Sequence, residues 1–266
     1  MTRQTIKGAR ALVTGATGGI GQEIARALHA EGAELVLSGR RAEILEPLAK
    51  ELGAQVVIAD LADLDDVARL LKEAGPLDIL VANAALPASG LLLEYTQEQI
   101  LRNVSVNLTV PILMARESAA GMSERGHGHI VLIGSVAGKA ASAGASMYNA
   151  TKFGLRGFSL ALREDLASAN VGVSIVEPGF VREAGMFIEA DGKLPPGVRT
   201  VSPQQVAKKV VKAIKRNKGE VVVAPVELRA GTAVASVFPG VGSNVQKRLG
   251  GHKIFETMVE GQRAKR

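Results

Sequence analysis

A strand, a glycine-rich turn and a helix follow one another directly near the N-terminus, and this succession limits the possible fold more than any other feature. The apolar run from Arg10 to Val13 leads into Thr14-Gly15-Ala16-Thr17-Gly18-Gly19-Ile20-Gly21, and Ile24, Ala25 and Leu28 continue at helical spacing. Glycines permit a tight turn and a close approach of the backbone, while unpaired N–H groups and the helix dipole attract phosphate. A glycine turn in this context predicts a dinucleotide site.

Strand-like and helix-like patterns alternate along most of the chain. Six further apolar runs have the length of buried strands, at residues 34–38, 55–59, 77–81, 128–134, 173–176 and 221–223. Because strands that are apolar throughout are buried on both faces, they indicate a parallel sheet covered by helices. The 266 residues, 47% of them hydrophobic, suit one large α/β domain. We expect this domain to span residues 1–225, followed by a C-terminal extension of residues 226–266 that packs on it.

Tyr148 and Lys152 are four residues apart within Ser146-Met147-Tyr148-Asn149-Ala150-Thr151-Lys152. On a helix they share one face, so an ammonium group can lie beside a phenol. A free phenol has a pKa of about 10, and an adjacent cation favours the phenolate and moves the pKa toward the range that acid-base catalysis uses. The pair therefore suits proton transfer to a carbonyl oxygen. The alternative is chance, since tyrosine and lysine occur at this spacing on many amphipathic helices.

Other polar positions lie at predicted strand ends or inside a helix. In a dinucleotide fold the end of the second strand faces the adenosine ribose, and here Gly39-Arg40-Arg41 offers guanidinium groups instead of an acid. This predicts NADP(H), with Arg40 as the main partner of the 2′-phosphate and Arg41 as the second; the alternative is two solvated arginines. Ser135 follows the fifth strand at the edge where open α/β sheets bind ligands, or is an ordinary turn serine. Asn107 lies inside a predicted helix, and its role depends on context.

Together these residues resemble the short-chain dehydrogenase/reductase family, of the NADP-dependent type, from about Arg10 to Pro225. The matching positions occur in the family's order and at its spacing: Thr14-Gly15, Gly19-Ile20-Gly21, Asn83-Ala84, Asn107, Ser135, Tyr148, Lys152 and Pro178-Gly179. The resemblance implies a Rossmann-like, doubly wound sheet of seven parallel strands flanked by helices. It also implies an oxidoreductase that transfers hydride between NADP(H) and a carbonyl or secondary alcohol carbon, without a metal.

The resemblance further implies a role for each matching residue. Tyr148 would protonate the carbonyl oxygen, and Lys152 would lower the pKa of Tyr148 and bind the nicotinamide ribose. Ser135 would hold the carbonyl oxygen, and Asn107 would support a water relay for protons. Cofactor contacts are implied for Gly15, Thr17, Gly19, Ile20, Gly21, Arg40, Arg41, Asp60, Leu61, Asn83, Ala84, Tyr148, Lys152, Pro178, Gly179 and Val181. Among these, Asp60 would contact the adenine and Val181 the carboxamide.

Two positions depart from the family pattern. The usual Asn-Ala-Gly is Asn83-Ala84-Ala85, which is tolerated if the backbone at Ala85 is not left-handed. Glu183 stands where the family's threonine after Pro-Gly contacts the nicotinamide amide. A different class of function also stays open, namely a dinucleotide-binding regulator without turnover. Such proteins commonly lose the tyrosine or the lysine, and this chain has both.

Composition and charge narrow the choice of partners. The chain has no cysteine, which excludes disulfides and thiolate chemistry and points to a reducing compartment, so we expect a cytoplasmic protein. The first ten residues are polar and basic, unlike a signal peptide, and no apolar stretch reaches membrane-spanning length. The net charge is +6, but two Tyr, six Phe and no Trp offer little for bases to stack on, so no nucleic-acid partner is expected. The four histidines lack metal-binding spacing.

The remaining segments carry structural expectations. Thr96-Gln97-Glu98-Gln99 predicts the start of a helix that runs to about Met122 with a kink at Pro111, and Ser202-Pro203-Gln204-Gln205 predicts another helix start. The resemblance implies a homodimer or homotetramer, paired through the first of these helices and the helix around residues 144–168. Residues 183–200 are interpreted as a mobile lid over a mid-sized apolar ketone or acyl chain. The apolar part of the tail, residues 226–266, is expected to pack on its own subunit or on a partner subunit, with its basic end in solvent. The less favoured alternative is that the tail docks on an anionic membrane surface.

Overall fold

The computed structural model describes residues 4–183 and 199–240, and within these ranges all seven predicted strands form. The strands are β1 (Arg10–Thr14), β2 (Glu34–Gly39), β3 (Gln55–Ile58), β4 (Ile79–Ala82), β5 (Gly128–Ile133), β6 (Val171–Pro178) and β7 (Glu220–Val223). They make one sheet in the order β3-β2-β1-β4-β5-β6-β7, with every neighbouring pair parallel. The strand order reverses between β1 and β4, and ligands of such sheets bind at the carboxyl ends beside this point. The expected doubly wound, Rossmann-like architecture is confirmed.

Helices cover both faces of the sheet. They are α1 (Gly19–Ala30), α2 (Ala42–Leu52), α3 (Leu64–Ala74), α4 (Gln97–Val104), α5 (Val110–Arg125), α6 (Ser146–Asp165), α7 (Pro203–Lys215) and α8 (Val226–Val237). Helices α1, α2 and α7 pack on one face, and α3, α5 and α6 pack on the other. Consecutive residues of β1 divide between the two layers, because Val13 joins the first core and Leu12 joins the second. Both side chains are fully buried, and each such burial stabilises the fold by about 1.5–3 kcal/mol.

The helix predicted to start at Thr96 is interrupted differently from the expected kink at Pro111. Thr96 and Gln99 form the predicted capping box, in which each side chain accepts a hydrogen bond from the other residue's N–H. After α4, Ser105–Thr109 forms a π-helical turn, and α5 then begins with Pro111 in its first turn. A proline ring crowds the carbonyl four residues earlier, and a turn whose N–H groups bond five residues back gives that carbonyl room. Asn107 lies inside this wider turn.

The C-terminal part is more regular than its weak apolar periodicity predicts. Helix α7 begins at the expected capping box, where Ser202 and Gln205 exchange hydrogen bonds. Helix α8 follows Pro225 directly. Its Leu228 packs closely on Gly179, because a Cβ added to Gly179 would lie 2.9 Å from the Leu228 side chain. Residues 184–198 and 241–266 lie outside the described ranges, and with them most of the interpreted lid and the basic end of the tail. Among the helices described, none combines the length and the apolar character needed to cross a bilayer.

Candidate active site

The glycine turn after β1 is shaped by close packing against the end of β4. Gly15 has a φ of +65°, and a Cβ there would lie 2.8 Å from the Cα of Ala84 and 2.9 Å from the amide nitrogen of Asn83. A Cβ at Gly21 would collide with the carbonyl oxygen of Gly15. Both positions therefore require glycine, one for its backbone angle and both for space.

The start of α1 fits a pyrophosphate. Its N-cap is Gly18, which has no side chain to bond the first N–H groups, and the N–H groups of residues 19–21 have no acceptor within the helix. Arg41 closes the turn from the side, because its guanidinium donates a hydrogen bond to the carbonyl oxygen of Thr17 at 3.2 Å. Arg40 and Arg41 are both exposed after β2. A phosphate at this turn would thus meet backbone donors and have two guanidinium groups nearby.

Thr14, which belongs to the glycine motif but has no predicted contact with the cofactor, ties the glycine turn to β4. Its hydroxyl accepts hydrogen bonds from the N–H groups of Asn83 at 3.1 Å and Ala84 at 3.2 Å, and donates to the carbonyl of Val81 at 3.4 Å. The amide of Asn83 donates to the carbonyls of Thr14 at 2.9 Å and Gly15 at 3.2 Å. The Asn83 side chain is therefore engaged in holding the shape of the cradle.

The chain after β3 forms a tight turn at the predicted adenine contact. The carboxylate of Asp60 accepts from the N–H of Ala62 at 3.0 Å, and the N–H of Asp60 donates to Asp66 at 2.9 Å. This bond from Asp60, together with the hydrogen bond from Arg69, holds the pKa of Asp66 below its ordinary value. Leu61 is buried within the same turn. A hydrogen bond from Ala59 to the carbonyl of Gly39 sets the turn beside the arginine-bearing end of β2.

The structure brings Ser135, Tyr148 and Lys152 together at the end of β5. Ser135 caps a short 3-10 turn, Val136–Gly138, by accepting a hydrogen bond from the N–H of Ala137 at 3.2 Å. The side chain of Ser135 lies close enough to the phenol of Tyr148 to lower its pKa. One turn later on α6, the ammonium nitrogen of Lys152 lies 5.8 Å from the centroid of the Tyr148 ring. Lys152 is only 3% exposed and donates to the carbonyl of Ile133 at 3.0 Å.

Burial governs the proton affinities of this pair in the protein alone. It raises the pKa of Tyr148 above its ordinary value, and the nearby Ser135 side chain offsets only part of that effect. It also lowers the pKa of Lys152 to about 8. The expected lowering of the Tyr148 pKa by Lys152 is therefore wrong for the protein alone. The reason is that burial affects the phenol most strongly, while the ammonium is directed at the Ile133 carbonyl.

Asn107 binds the loop that follows β4. Its Oδ1 accepts from the N–H of Leu86 at 2.6 Å, and its Nδ2 donates to the carbonyl of Leu86 and to Oδ1 of Asn103, each at 3.0 Å. Asn103 in turn donates to the carbonyl of Pro87 at 3.0 Å. The spacing of two asparagines four residues apart on one helix could have identified Asn103. The side chain of Asn107 is thus engaged by this loop and by Asn103, and its role in a water relay stays a prediction.

The end of β6 is held between the sheet and the segment that resumes at residue 199. Pro178 is the last residue of the strand, and the N–H of Gly179 donates to the carbonyl of Val223 at 3.0 Å. Val181 is buried and pairs with Val201 through an isolated bridge. Glu183, the departure at the family's threonine, has a left-handed φ of +67°, which few side chains adopt.

Ala85, the other departure from the family pattern, fits its backbone. In the described ranges the non-glycine residues with positive φ are Asn170, Glu183 and Asn217. Ala85 is not one of them, so its methyl group meets no backbone strain.

Asn149 fixes the loop that carries Ser135. Its Nδ2 donates to the carbonyls of Ala137 at 2.7 Å and Ala140 at 3.1 Å, and its Oδ1 accepts from the N–H of Ser142 at 3.1 Å. Asn149 is 6% exposed and adjoins Tyr148 in sequence. No signal in the sequence marks it, since an asparagine in the first turn of a helix is ordinary.

Comparisons with known proteins agree with this geometry. The family model for short chain dehydrogenase matches residues 9–193. Nodulation protein G of Rhizobium sp. (strain N33) is 42% identical over 185 residues, which is 67% of this chain and 76% of that protein. Ketoacyl reductase HetN of Nostoc sp. (strain PCC 7120 / SAG 25.82 / UTEX 2576) is 34% identical over 228 residues, covering 82% of this chain and 79% of that protein.

A likeness in structure supports the same conclusion. The solved structure of a short-chain dehydrogenase from Sphingobium yanoikuyae in complex with NADPH has a TM-score of 0.74 at 29% identity, covering 87% of this chain and 94% of that one. The matched family region includes the glycine turn, Ser135 and the helix of Tyr148 and Lys152. The resemblance predicted from the sequence is thereby confirmed: this chain belongs to the short-chain dehydrogenase/reductase family and is an oxidoreductase that acts on CH–OH or C=O groups.

Proposed function

We propose that this chain transfers hydride between NADP(H) and the carbonyl or secondary alcohol carbon of an apolar substrate, with Tyr148 as the acid and base. The observation that carries the proposal is that Ser135, Tyr148 and buried Lys152 come together at the end of β5, with Tyr148 and Lys152 on the same face of α6. Two hydroxyl groups thus meet at one point beside a cation. A carbonyl oxygen that gains negative charge needs such an arrangement.

The residues proposed to hold the cofactor follow the carboxyl edge of the sheet. The pyrophosphate would bind at residues 15–21 and the adenosine between the ends of β2 and β3, next to Asp60 and Leu61. The nicotinamide half would lie by Asn83-Ala84, Lys152 and residues 178–181. When bound, NADPH supplies the hydride. The glycine cradle and the unpaired first N–H groups of α1 support this assignment.

Each side chain of the centre has its own task. Ser135 orients the phenol and hydrogen-bonds the substrate oxygen. Tyr148 gives its proton to that oxygen in reduction and takes it back in oxidation. Because burial raises the pKa of Tyr148, the phenol is protonated at neutral pH, which is the state that reduction requires. Lys152, whose pKa is about 8, is mostly charged at pH 7 and stabilises the phenolate left after proton transfer.

We propose NADP(H) rather than NAD(H) because guanidinium groups replace an acid at the end of β2. Arg40 is the proposed main contact of the 2′-phosphate, since its neighbour Arg41 already donates to the Thr17 carbonyl. A guanidinium fork matches the geometry of a phosphate. The NADPH complex of the relative from Sphingobium yanoikuyae supports this choice.

The proposed substrates are apolar ketones or 3-oxoacyl groups. The small residues Val136, Ala137 and Gly138 leave room after Ser135, and the loop bound by Asn107 continues into Leu91, Leu92 and Leu93, which are 58%, 51% and 99% exposed. Exposed leucines in the continuation of this loop suit contact with an acyl chain. The relative named ketoacyl reductase supports the 3-oxoacyl class.

A Tyr148→Phe variant tests the function. With acetoacetyl-N-acetylcysteamine and a panel of apolar ketones, we expect the variant to lose turnover by a factor of about 1,000 while it keeps NADPH binding by fluorescence titration. The matched control is Tyr95→Phe, the same exchange at the only other tyrosine, which should stay within a few-fold of wild type. Near-normal turnover of Tyr148→Phe would remove Tyr148 from the mechanism. NADPH binding without turnover by the wild type on the whole panel would favour the regulator instead.

We propose further that the chain forms a homodimer or homotetramer and is cytoplasmic, the latter because it contains no cysteine. Leu101 on α4 and Phe153 on α6 are 61% and 41% exposed on the helices expected to pair subunits. Covering such side chains stabilises an interface. Light scattering at micromolar concentration should show an oligomer that Phe153→Glu weakens, and a monomeric wild type would contradict the proposal.

A further inference from the structure

Glu177, the residue before Pro178 at the end of β6, is a fully buried carboxylate. Its side chain has no exposed surface, and neither carboxylate oxygen has a hydrogen bond to any atom of the described ranges. Burying a carboxylate without such bonds is unfavourable, and buried charges are normally retained with a partner. The proposed mechanism gives Glu177 no task.

Two cations compensate Glu177 from a distance. The ammonium of Lys139 lies 3.6 Å from its Oε2, and the guanidinium of Arg156 lies 3.7 Å from its Oε1. Both cations make their closer contacts with Glu220 on β7, at 2.9 Å and 2.5 Å. The four side chains form a charge cluster, Glu177-Lys139-Arg156-Glu220, in which the two carboxylates share the two cations.

The charge cluster joins the elements that carry the catalytic groups. Lys139 ends the 3-10 turn that Ser135 begins, and Arg156 lies on α6 one turn after Lys152. A Cβ added to Gly138 in that turn would lie 2.7 Å from the carbonyl oxygen of Lys152 and 3.6 Å from Oε1 of Glu177. Glu177 therefore lies where the Ser135 turn, the catalytic helix and the end of β6 meet.

We propose that Glu177 is a positioning residue, which seats the Ser135 turn and the Tyr148 helix against the end of β6 by attracting Lys139 and Arg156. The inference rests on the proposed roles of Ser135, Tyr148 and Lys152. When Glu177 is ionised, it draws both cations inward. When it is neutral, Glu220 alone attracts them from the partly exposed side of the cluster.

This arrangement predicts a dependence on pH. Burial, with a smaller contribution from Glu220, raises the pKa of Glu177 to about 7 against the opposing attraction of Lys139 and Arg156. Burial also raises the pKa of Glu220, but hydrogen bonds from Arg156 and Lys139 outweigh it and hold that pKa below its ordinary value. Among residues 4–183 and 199–240, the charged groups that face Glu177 are Lys139 from the 3-10 turn, Arg156 from α6 and Glu220 from β7. As the pH falls through about 7, Glu177 therefore loses its charge and the seating weakens.

The test is Glu177→Gln, which keeps the shape of the side chain and removes its charge. At pH 8 we expect kcat to fall by about 10-fold with NADPH affinity unchanged, because a small misplacement of reacting groups slows chemistry more than binding. Below pH 6 the kcat values of wild type and variant should converge, since wild-type Glu177 is then neutral. Changes that come from Lys152 and Tyr148 occur in both proteins and cancel in the ratio. Equal kcat values from pH 6 to pH 8.5 would overturn the inference.

Two further variants separate positioning from general damage. Asn149→Ala removes an uncharged contact to the same Ser135 loop, so it should lower kcat by a similar factor at every pH and keep the inflection near pH 7. Lys139→Met should lower kcat at pH 8, and the double variant with Glu177→Gln should have a kcat only slightly lower than that of Lys139→Met. If the two single losses in kcat multiplied in full in the double variant, the two residues would not act through a shared cluster. If Tyr148→Phe is inactive while Glu177→Gln matches wild type, the inference fails and the proposed function stands. If Tyr148→Phe keeps its turnover, the proposed function itself fails.

Discussion

Neutralising Glu177 should stabilise the fold at alkaline pH, although it slows the proposed reaction. The pKa of Glu177 is about 7 in the folded protein against 4.5 for an ordinary glutamate, so the folded state binds this proton more tightly than the unfolded state. The stability from this tighter binding is present below pH 4.5 and is lost as the pH rises from about 4.5 to 7. The interval between the two pKa values corresponds to about 3 kcal/mol in the free energy of unfolding. Glutamine does not ionise and escapes this loss.

Urea unfolding of wild type and Glu177→Gln between pH 5 and pH 8.5 measures the effect. Over this pH range the difference in free energy of unfolding should grow in favour of the variant by about 2.5 kcal/mol, mostly between pH 5 and pH 7. Glu124→Gln, the same exchange on the exposed end of α5, is the control and should run parallel to wild type. Parallel curves for Glu177→Gln as well would refute the reasoning, because they would mean that the carboxylate ionises alike in the folded and unfolded chain.

Three further predictions concern the cofactor site and the phenol. Arg40→Ala should weaken NADPH binding by about 10- to 100-fold and leave NADH binding unchanged, as titrations that follow the fluorescence of each reduced cofactor will show. An equal loss for both cofactors would mean that Arg40 does not contact the 2′-phosphate. Because the chain has two tyrosines and no tryptophan, absorbance at about 295 nm, taken as the difference between wild type and Tyr148→Phe, follows Tyr148 ionisation. This ionisation should occur above pH 10 without cofactor, since burial raises the pKa of Tyr148, and a midpoint near neutrality would contradict that direction. Gly21→Ala should abolish cofactor binding, because the added Cβ would collide with the Gly15 carbonyl oxygen. Gly18→Ala is the control: its Cβ would lie 3.6 Å from the same oxygen, so its affinity for the cofactor should stay within a few-fold of wild type. Similar affinities for the two variants would contradict the packing argument.

Local patterns were sufficient to predict the sheet and the helix starts. Continuous apolar runs such as those of β1 and β5 identify buried strands, because both faces of each strand are covered by helices. The capping boxes at Thr96 and Ser202 were predictable because their hydrogen bonds join residues three apart. The site residues depended on the family resemblance, since spacing alone left Ser135 and Asn107 with ordinary alternatives.

What escaped prediction depends on contacts between residues distant in sequence. Glu177 meets Lys139 and Glu220 only after β6, the 3-10 turn and β7 have come together, so its burial has no local signal. The raised pKa of Tyr148 has the same origin, because the spacing to Lys152 is local but the burial of the phenol is not. The helix α8 was missed because few of its residues are buried, which leaves little apolar periodicity in the sequence.

The π-helical turn at Ser105–Thr109 affects how this region tolerates changes of chain length. In a π-helical turn each N–H bonds the carbonyl five residues earlier, so the turn contains one residue more than an α-helical turn. Helices α4 and α5 can therefore both pack on the core with one extra residue between them. Deleting one residue from a regular helix rotates everything beyond it by about 100° and unseats one end. Here the deletion would leave both flanking helices in register with the core, but it would also bring the carbonyl four residues before Pro111 back against the proline ring, at a cost of about 3 kcal/mol. The lost residue would instead shift Asn107 away from Leu86, so the fold would survive a deletion that the active site would not.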